Sequence, residues 1–155
     1  MSSTATRNRL EAWVSFLRAH AAITRQLNAD LLNAHGLTLS DYEVLLRLSR
    51  AEHQMMRRVD LAESVILTAS GITRLLDGLE RAGFVEKASC ASDARVSYAK
   101  LTGAGRQKLD EAAETHLTGI EELFTGRFGA SDLDTLAELL SRLPLTAHDS
   151  GSCTP

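Results

Sequence analysis

The sequence has few prolines, few aromatic residues, few cysteines and no long apolar run. Two prolines and 5% aromatic residues in 155 disfavour a β-sandwich or barrel, and long segments rich in Ala, Leu, Glu and Arg favour a mainly helical fold. No run of about 18 apolar residues is present and residues 1–9 are polar, which excludes a membrane span and a secretory signal peptide. We therefore expect a cytoplasmic protein.

Residue groupings typical of catalytic and metal sites are also missing from the sequence. The two cysteines, Cys90 and Cys153, form neither a disulfide framework nor a set of metal ligands, and they fit a reducing compartment. The five histidines are scattered, with no pair at the close helical spacing of a metal site. A Ser, His and acid grouping, a phosphate-binding glycine loop and a local carboxylate pair are lacking as well. We expect no enzyme activity, no metal site and no cofactor.

Charge is distributed unevenly along a chain whose length suits one domain with a real hydrophobic core. The net charge of -3 argues at first against a nucleic-acid partner. Residues 57–106, however, carry a net charge of +2, and the rest of the chain carries -5. A mildly basic middle between acidic ends fits a DNA-facing lobe on a second, helical lobe, although ordinary surface charge explains the pattern nearly as well.

The segment Thr68–Arg81 combines an apolar stripe with a small, polar and basic face. The stripe, spaced by three and four residues, consists of Ile72, Leu75, Leu76 and Leu79. Thr68 can cap the first turn. The opposite face begins, where the helix dipole and free amide groups attract phosphate, with Ser70, Gly71, Thr73 and Arg74. This pattern is typical of a recognition helix that enters a DNA major groove.

Two helices and a short strand are predicted upstream of this segment and after the first long helix. Ser40 with Glu43 forms a capping-box pattern for a helix over residues 41–50. Residues 54–58 suggest a small strand. Asp60, with Glu63 as its capping partner, starts a brief helix that ends near Ile66. A tight connection at residue 67 then completes the helix-turn-helix order.

A small antiparallel wing is predicted after the recognition helix. Residues 84–87 and 95–101 have strand patterns, and the small polar residues 89–94 form the turn between them. Lys87 and Arg95 lie on the two arms, where a basic side chain can reach a minor groove or a phosphate.

The remaining helices have more apolar surface than the winged lobe needs. Residues 9–35, closed by Gly36, keep a helical apolar period over about seven turns. Thr102 caps a helix that continues to Phe128, and Ser131 with Asp134 starts a last helix that Pro144 closes. We assign residues 9–35 and 103–143 to a dimerisation lobe, the alternative being burial within their own domain. The predicted architecture is therefore mainly α with a small β wing, in one domain over residues 1–145 with its DNA-binding lobe at 38–101, and a disordered tail at 146–155.

At this point the chain resembles the MarR family of bacterial transcription regulators from about Leu10 to Leu143. The resemblance is carried by Leu37-Thr38-Leu39 through Tyr42, Val44 and Leu45; Leu61-Ala62; Leu67-Thr68 with Ser70-Gly71-Ile72-Thr73-Arg74-Leu75; Leu79-Glu80 with Gly83-Phe84-Val85-Glu86; and Asp93-Ala94-Arg95 through Leu101-Thr102-Gly103-Ala104-Gly105. It implies a homodimeric winged helix-turn-helix repressor or activator whose DNA affinity a small ligand or an oxidant changes. The wing motif Asp-x-Arg of the family falls on Asp93 and Arg95, which implies that Arg95 contacts a minor groove and that Asp93 orients it. Residues 88–91 depart from the further Arg, Asp and Pro of many relatives, so the wing is expected to contribute less affinity.

These observations predict a ligand-responsive transcriptional regulator, chiefly a repressor, that binds a pseudo-palindromic operator as a homodimer. The candidate DNA-binding residues are Thr68, Ser70, Gly71, Thr73, Arg74, Lys87, Asp93 and Arg95. A finer resemblance to the urate-responsive subgroup rests on the residue types of Trp13, Asp60 and Arg95, which implies an aromatic or purine-like weak acid as effector. Each of the three has a simpler explanation: Trp13 as core, Asp60 as a helix cap and Arg95 as a DNA contact.

Two other functions stay open from the sequence. Cys90 at the wing tip, as an exposed thiol near Lys87 and Arg95, could act as a redox switch, or it could be a tolerated surface cysteine. A winged-helix module can also bind another protein and no DNA. Steep salt dependence of duplex binding would favour the DNA-binding regulator over this module.

Overall fold

Six helices and a three-stranded antiparallel sheet form the chain in the computed structural model, which describes residues 2–65 and 69–144, with residues 2–8 and 69 described by their backbone alone. In chain order the elements are α1 (Ser2–His35), α2 (Leu39–Arg50), β1 (Met55–Arg57), α3 (Arg58–Ser64), α4 (Ala69–Arg81), β2 (Val85–Cys90), β3 (Asp93–Leu101), α5 (Gly103–Leu123) and α6 (Ala130–Leu140). Single 3₁₀ turns occupy Glu52–Gln54 and Thr125–Arg127. The prediction of a mainly helical winged fold is confirmed. No helix in the described ranges is long and apolar enough to cross a membrane.

The sheet places the wing beside the helix-turn-helix. Its strand order is β1-β3-β2, with Val85 opposite Leu101 and Met55 opposite Lys100. The wing turn is shorter than predicted, because the strands continue to Cys90 and restart at Asp93. Most of the residues that the sequence pattern assigned to the turn thus lie in the paired strands.

The core joins helices of both predicted lobes. Six large side chains are fully buried, namely Leu31, Val44, Leu45, Leu48, Leu61 and Leu76. They come from α1, α2, α3 and α4, and Leu109 and Ala112 of α5 belong to the same cluster. The helix α5 also crosses α1 closely, since a methyl group at Gly119 would lie 2.6 Å from Leu27 Cδ2. The winged lobe is therefore packed directly on α1 and α5.

The first turn of α2 differs from its prediction. The cap is Thr38, whose hydroxyl accepts from the Asp41 amide at 3.0 Å while the Asp41 carboxylate accepts from the Thr38 amide at 2.8 Å. The predicted cap Ser40 and partner Glu43 lie inside the helix. Asn28 of α1 accepts from the Leu39 amide at 2.9 Å, which satisfies another first-turn donor and favours the earlier start.

Other predicted helix boundaries were wrong as well, among them the start of α1, which lies at Ser2 rather than at residue 9. The helix α3 begins at Arg58 rather than Asp60, because β1 leads straight into it and the Asp60 carboxylate binds the Arg57 side chain instead of a backbone amide. The helix α5 ends at Leu123, where Phe124 leaves the helical conformation. Gly129 precedes α6 as its cap residue in place of Ser131, without a side-chain hydrogen bond. The predicted caps at Gly36, with φ +67°, and at Thr102 are confirmed. The predicted tail at 146–155 lies outside the described residues.

Candidate nucleic-acid interface

The helix α4 divides into a buried and an exposed face as its sequence predicts. Ile72, Leu76 and Leu79 are buried in the core. The exposed positions are Ser70, Thr73, Arg74, Asp77 and Arg81, with Gly71 partly exposed. Thr68, the predicted cap, lies outside the described residues. Small and basic side chains therefore occupy the amino-terminal half of a solvent-facing helix surface, where a duplex can approach.

Arg74 is the cation nearest the amino-terminal end of this face. No hydrogen bond or ion pair involves its guanidinium in the part of the chain that the structure describes. A guanidinium with no internal partner keeps its five donors for an external acceptor. Phosphate oxygens and the O6 and N7 atoms of guanine are the acceptors that such a group binds in DNA.

The wing carries the second exposed cation next to a carboxylate. Asp93 accepts a hydrogen bond at 3.0 Å from the Arg95 amide, and its Oδ1 lies 4.0 Å from Arg95 Nε. The Arg95 side chain is 98% exposed. Because the aspartate holds the backbone at the start of β3, it fixes the position from which the arginine projects. The Arg95 side chain therefore projects into solvent from a backbone that Asp93 holds in place.

Lys87 is less available than the sequence suggests. Its Nζ lies 3.9 Å from Oε2 of Glu80, while the other oxygen of that carboxylate lies 3.8 Å from Arg58. Glu80 is mostly buried, and among the described residues its Oε1 has no hydrogen-bond partner. The three side chains join α3, α4 and β2 by charge alone. A phosphate that binds Lys87 must therefore compete with Glu80.

The hypothesis of an exposed thiol at Cys90 was wrong. Cys90 is 3% exposed at the end of β2, and its sulfur takes part in a disulfide, contrary to the expectation of reduced cysteines. The chain's other cysteine, Cys153, lies outside the described residues. Because the sulfur is neither exposed nor a thiol, a redox switch of the kind inferred from the sequence loses its premise.

The three candidate effector residues have different neighbours. Trp13 is 57% exposed on α1 with its ring 6.3 Å from that of Phe16. Asp60 accepts two hydrogen bonds, at 2.7 and 2.9 Å, from the Arg57 guanidinium, and these bonds raise the pKa of Arg57 above its ordinary value. Arg95 contacts Asp93. No contact among the described residues joins any two of the three candidates.

The junction of α1, α2 and α5 holds polar groups that the sequence did not single out. Tyr42 and His116 stack with centroids 4.4 Å apart, and His35 shares a 2.8 Å hydrogen bond with Thr115. Burial lowers the pKa of His116, whose Nδ1 has no hydrogen-bond partner in the described part of the chain. Burial also raises the pKa of Tyr42, while the charge of Arg50 lowers it and that of Asp110 raises it. These pairs span about 75 residues of sequence or more, so no local pattern could have revealed them.

Asp77 is the other residue that sequence reasoning missed. It lies on the exposed face with Ser70 and Arg74, and with Glu80 and Arg81 it lines an open surface hollow of about 540 Å³. Its spacing from Ser70 and Arg74 was available in the sequence.

Comparison with known proteins gives a consistent result. The model of the MarR family matches residues 37–97, which include α2 to most of β3. The HTH-type transcriptional regulator MhqR of Bacillus subtilis is 24% identical over 142 residues, covering 92% of this chain and 95% of MhqR. The crystal structure of AbsC, a MarR family transcriptional regulator from Streptomyces coelicolor, has a TM-score of 0.80 at 30% identity and covers 92% of this chain and 93% of its own. Sco3205, a MarR family transcriptional regulator from the same organism crystallised in complex with DNA, shares the fold with a TM-score of 0.82 at 24% identity, over 88% of this chain and 85% of its own.

Proposed function

This chain belongs to the MarR family of transcriptional regulators, and we propose that it is a cytoplasmic, ligand-responsive repressor that binds a pseudo-palindromic operator as a homodimer. The family membership confirms the prediction of a transcriptional regulator that is not an enzyme. In this proposal the dimer presents two copies of α4 to successive major grooves, about 34 Å apart. Repression follows because the bound dimer excludes polymerase from the promoter.

The proposed dimer rests on apolar surface that the described chain leaves exposed. Residues 9–22 of α1 are exposed on all sides, although this segment contains Leu10, Trp13, Val14, Phe16 and Leu17. Further exposed large side chains lie near the other end of the chain, at Leu117, Phe128, Leu139 and Leu143. Neighbouring large apolar side chains that are exposed on a monomer mark an interaction surface. A second copy of the chain is the partner that a palindromic operator requires, since operator symmetry matches protein symmetry.

The proposed DNA contacts combine α4 with the wing. The single observation that carries this proposal is a pair of exposed cations. Arg74 on α4 has no partner for its guanidinium among the described residues, and Arg95 on β3 has its side chain directed into solvent. Ser70 and Thr73 contact bases or phosphates beside Arg74, and Gly71 lets the backbone approach the duplex. Arg95, oriented by Asp93, enters the flanking minor groove, where negative potential attracts a guanidinium. Thr68 and Lys87 add contacts to the phosphate backbone of the DNA.

The proposed effector is an aromatic or purine-like weak acid bound between the helices of the predicted dimerisation lobe and the winged lobe. The candidate residues that contact this effector are Trp13, Asp60 and Arg95. Such an effector changes the separation of the two α4 helices only if it binds the two arrangements with unequal affinity.

Substitution of the two arginines tests the proposed function. Arg74→Ala and Arg95→Ala should each weaken operator binding by about 5- to 150-fold, the usual worth of a specific contact. Both side chains are exposed, so light scattering should show an unchanged dimer. The matched control is Arg106→Ala, at an exposed position in the first turn of α5 to which the proposal assigns no DNA contact. Unaltered operator affinity in both variants rejects the DNA-binding assignment, and no retardation of any duplex at low salt favours a protein-binding module.

A further inference from the structure

We propose that Asp77 is a specificity-determining residue that accepts a hydrogen bond from the exocyclic amino group of a cytosine in each operator half-site. This inference rests on the proposed function, because it needs α4 to lie in a major groove. It goes beyond that function by naming a residue that selects one base.

The position of Asp77 on α4 places it toward an approaching duplex. Residues advance by about 100° per position around a helix, so Asp77 lies about 30° from the direction opposite to the apolar stripe of Ile72, Leu75, Leu76 and Leu79. This offset is similar to that of Arg74 and smaller than the roughly 70° of Thr73. Along the helix axis, Asp77 lies about 10 Å from Ser70, which is within the width of a major groove. A duplex that contacts Ser70 and Arg74 therefore also meets the Asp77 carboxylate.

The fold itself gives Asp77 no role. Aspartate is a poor helix former, and this one is too far from the amino-terminal turn of α4 to benefit from the helix dipole. Within the described residues no hydrogen bond or ion pair engages its carboxylate. Arg81, one turn later, donates from Nε to the Asp77 carbonyl oxygen at 3.3 Å and not to the carboxylate. The side chain is thus exposed, charged and unengaged.

A carboxylate on this surface is unfavourable against most DNA. It repels the phosphate backbone and offsets one of the two cations, Arg74 and Arg81, that α4 exposes. The cost is recovered only where the duplex offers a hydrogen-bond donor. In the major groove the donors are the N4 amino group of cytosine and the N6 amino group of adenine, and a carboxylate matches cytosine while an amide matches adenine. Asp77 therefore lowers affinity for unmatched duplexes and favours one base, which is how specificity arises from repulsion and attraction together.

The test compares base preference in the wild-type chain, Asp77→Ala and Asp77→Asn. In vitro selection from randomised duplexes defines the preferred operator of each protein, and fluorescence anisotropy then measures affinity for that operator, for single-base variants and for an unrelated duplex. Replacing the selected cytosine should weaken wild-type binding by about 5- to 150-fold and should barely affect Asp77→Ala. Asp77→Asn should change the preference at the same position to adenine. Both variants should bind the unrelated duplex more tightly than the wild-type chain.

The control is Glu111→Gln, which removes an exposed negative charge from α5 and should leave base preference unchanged. If both Asp77 variants select the wild-type sequence, and their affinities for operator and unrelated duplex rise in parallel, Asp77 is only a repulsive charge and the inference is wrong while the proposed function stands. If the wild-type chain binds no duplex, the proposed function fails and this inference fails with it. A change of preference from cytosine to adenine cannot come from a purely structural role, because the fold does not distinguish bases.

Discussion

The Thr102 hydroxyl donates a 2.6 Å hydrogen bond to the carbonyl oxygen of Gly83, and so ties the start of α5 to the turn that follows α4. The Thr102 hydroxyl oxygen also accepts a hydrogen bond from the Gly105 amide at 3.0 Å, and the Thr102 amide donates to the Phe84 carbonyl oxygen at 3.1 Å. Thr102 therefore caps α5 and also holds the turn between α4 and β2 against this helix.

Removing this hydroxyl should destabilise the fold. Thr102→Val keeps the shape of the side chain but leaves the Gly105 amide uncapped and the Gly83 carbonyl unpaired, at a cost of about 1–3 kcal/mol in the free energy of unfolding. Thr102→Ser, which retains both hydrogen bonds, is the control and should lose less than half as much. Urea unfolding followed by circular dichroism measures both. Equal midpoints for Thr102→Val and the wild-type chain would contradict the role given to the hydroxyl.

Gly105 should not tolerate even the smallest side chain. A methyl group there would overlap the Phe84 carbonyl oxygen and lie 2.9 Å from Leu101 Cδ1. Because the first of these neighbours is backbone, Gly105→Ala must move α5 away from the wing, with a loss of about 1–3 kcal/mol in the free energy of unfolding. Gly103→Ala, two positions earlier, meets nothing within 4 Å and serves as the control with unchanged or slightly higher stability. Similar melting temperatures for the two variants would refute the close approach.

Acid should weaken the junction of α2 and α5 through His116. Burial lowers its pKa from 6.5, so below that pH the unfolded chain gains a proton before the folded chain does. Its contribution to stability is therefore complete above pH 6.5 and is lost progressively as pH falls toward the lowered pKa. His116→Phe keeps a ring against Tyr42 and should show a shallower loss of stability on acidification.

The measurement for His116 is the free energy of unfolding as a function of pH. His53→Asn, in the exposed 3₁₀ turn where His53 has φ +54°, is the control for loss of an imidazole at an exposed position. If His116→Phe keeps the wild-type slope, the acid sensitivity comes from other groups.

Trp13, the only tryptophan, offers a direct readout for the proposed effector. Titration with uric acid as a purine-like probe, or with salicylate as a simple aromatic acid, should quench its fluorescence saturably and weaken operator binding over the same concentration range. Asp60→Asn should shift both curves together. Operator affinity that falls with no change in Trp13 fluorescence would place the effector elsewhere, and no response in either measurement would reject this ligand class.

Helix identity and order were predictable from the sequence because helical periodicity is a local property. The stripe from Ile72 to Leu79 and the caps at Gly36 and Thr102 are examples. Boundaries that depend on neighbours were not. Thr38 and Ser40 both suit a cap locally, and it is the hydrogen bond from the Leu39 amide to Asn28 of another helix that favours Thr38. Asp60 fits a cap equally well by sequence, yet the approach of Arg57 engages it.

The candidate site divides in the same way between sequence and structure. The sequence alone determined which face of α4 is polar and that an Asp-x-Arg pair lies on the wing, since both follow from residue type and spacing. Only the tertiary structure decided that Glu80 competes for Lys87, that Cys90 is buried and that the Asp77 carboxylate has no partner within the described ranges. Burial and charge pairing depend on which side chains meet in space, and residues far apart in a sequence carry no local signal of that meeting.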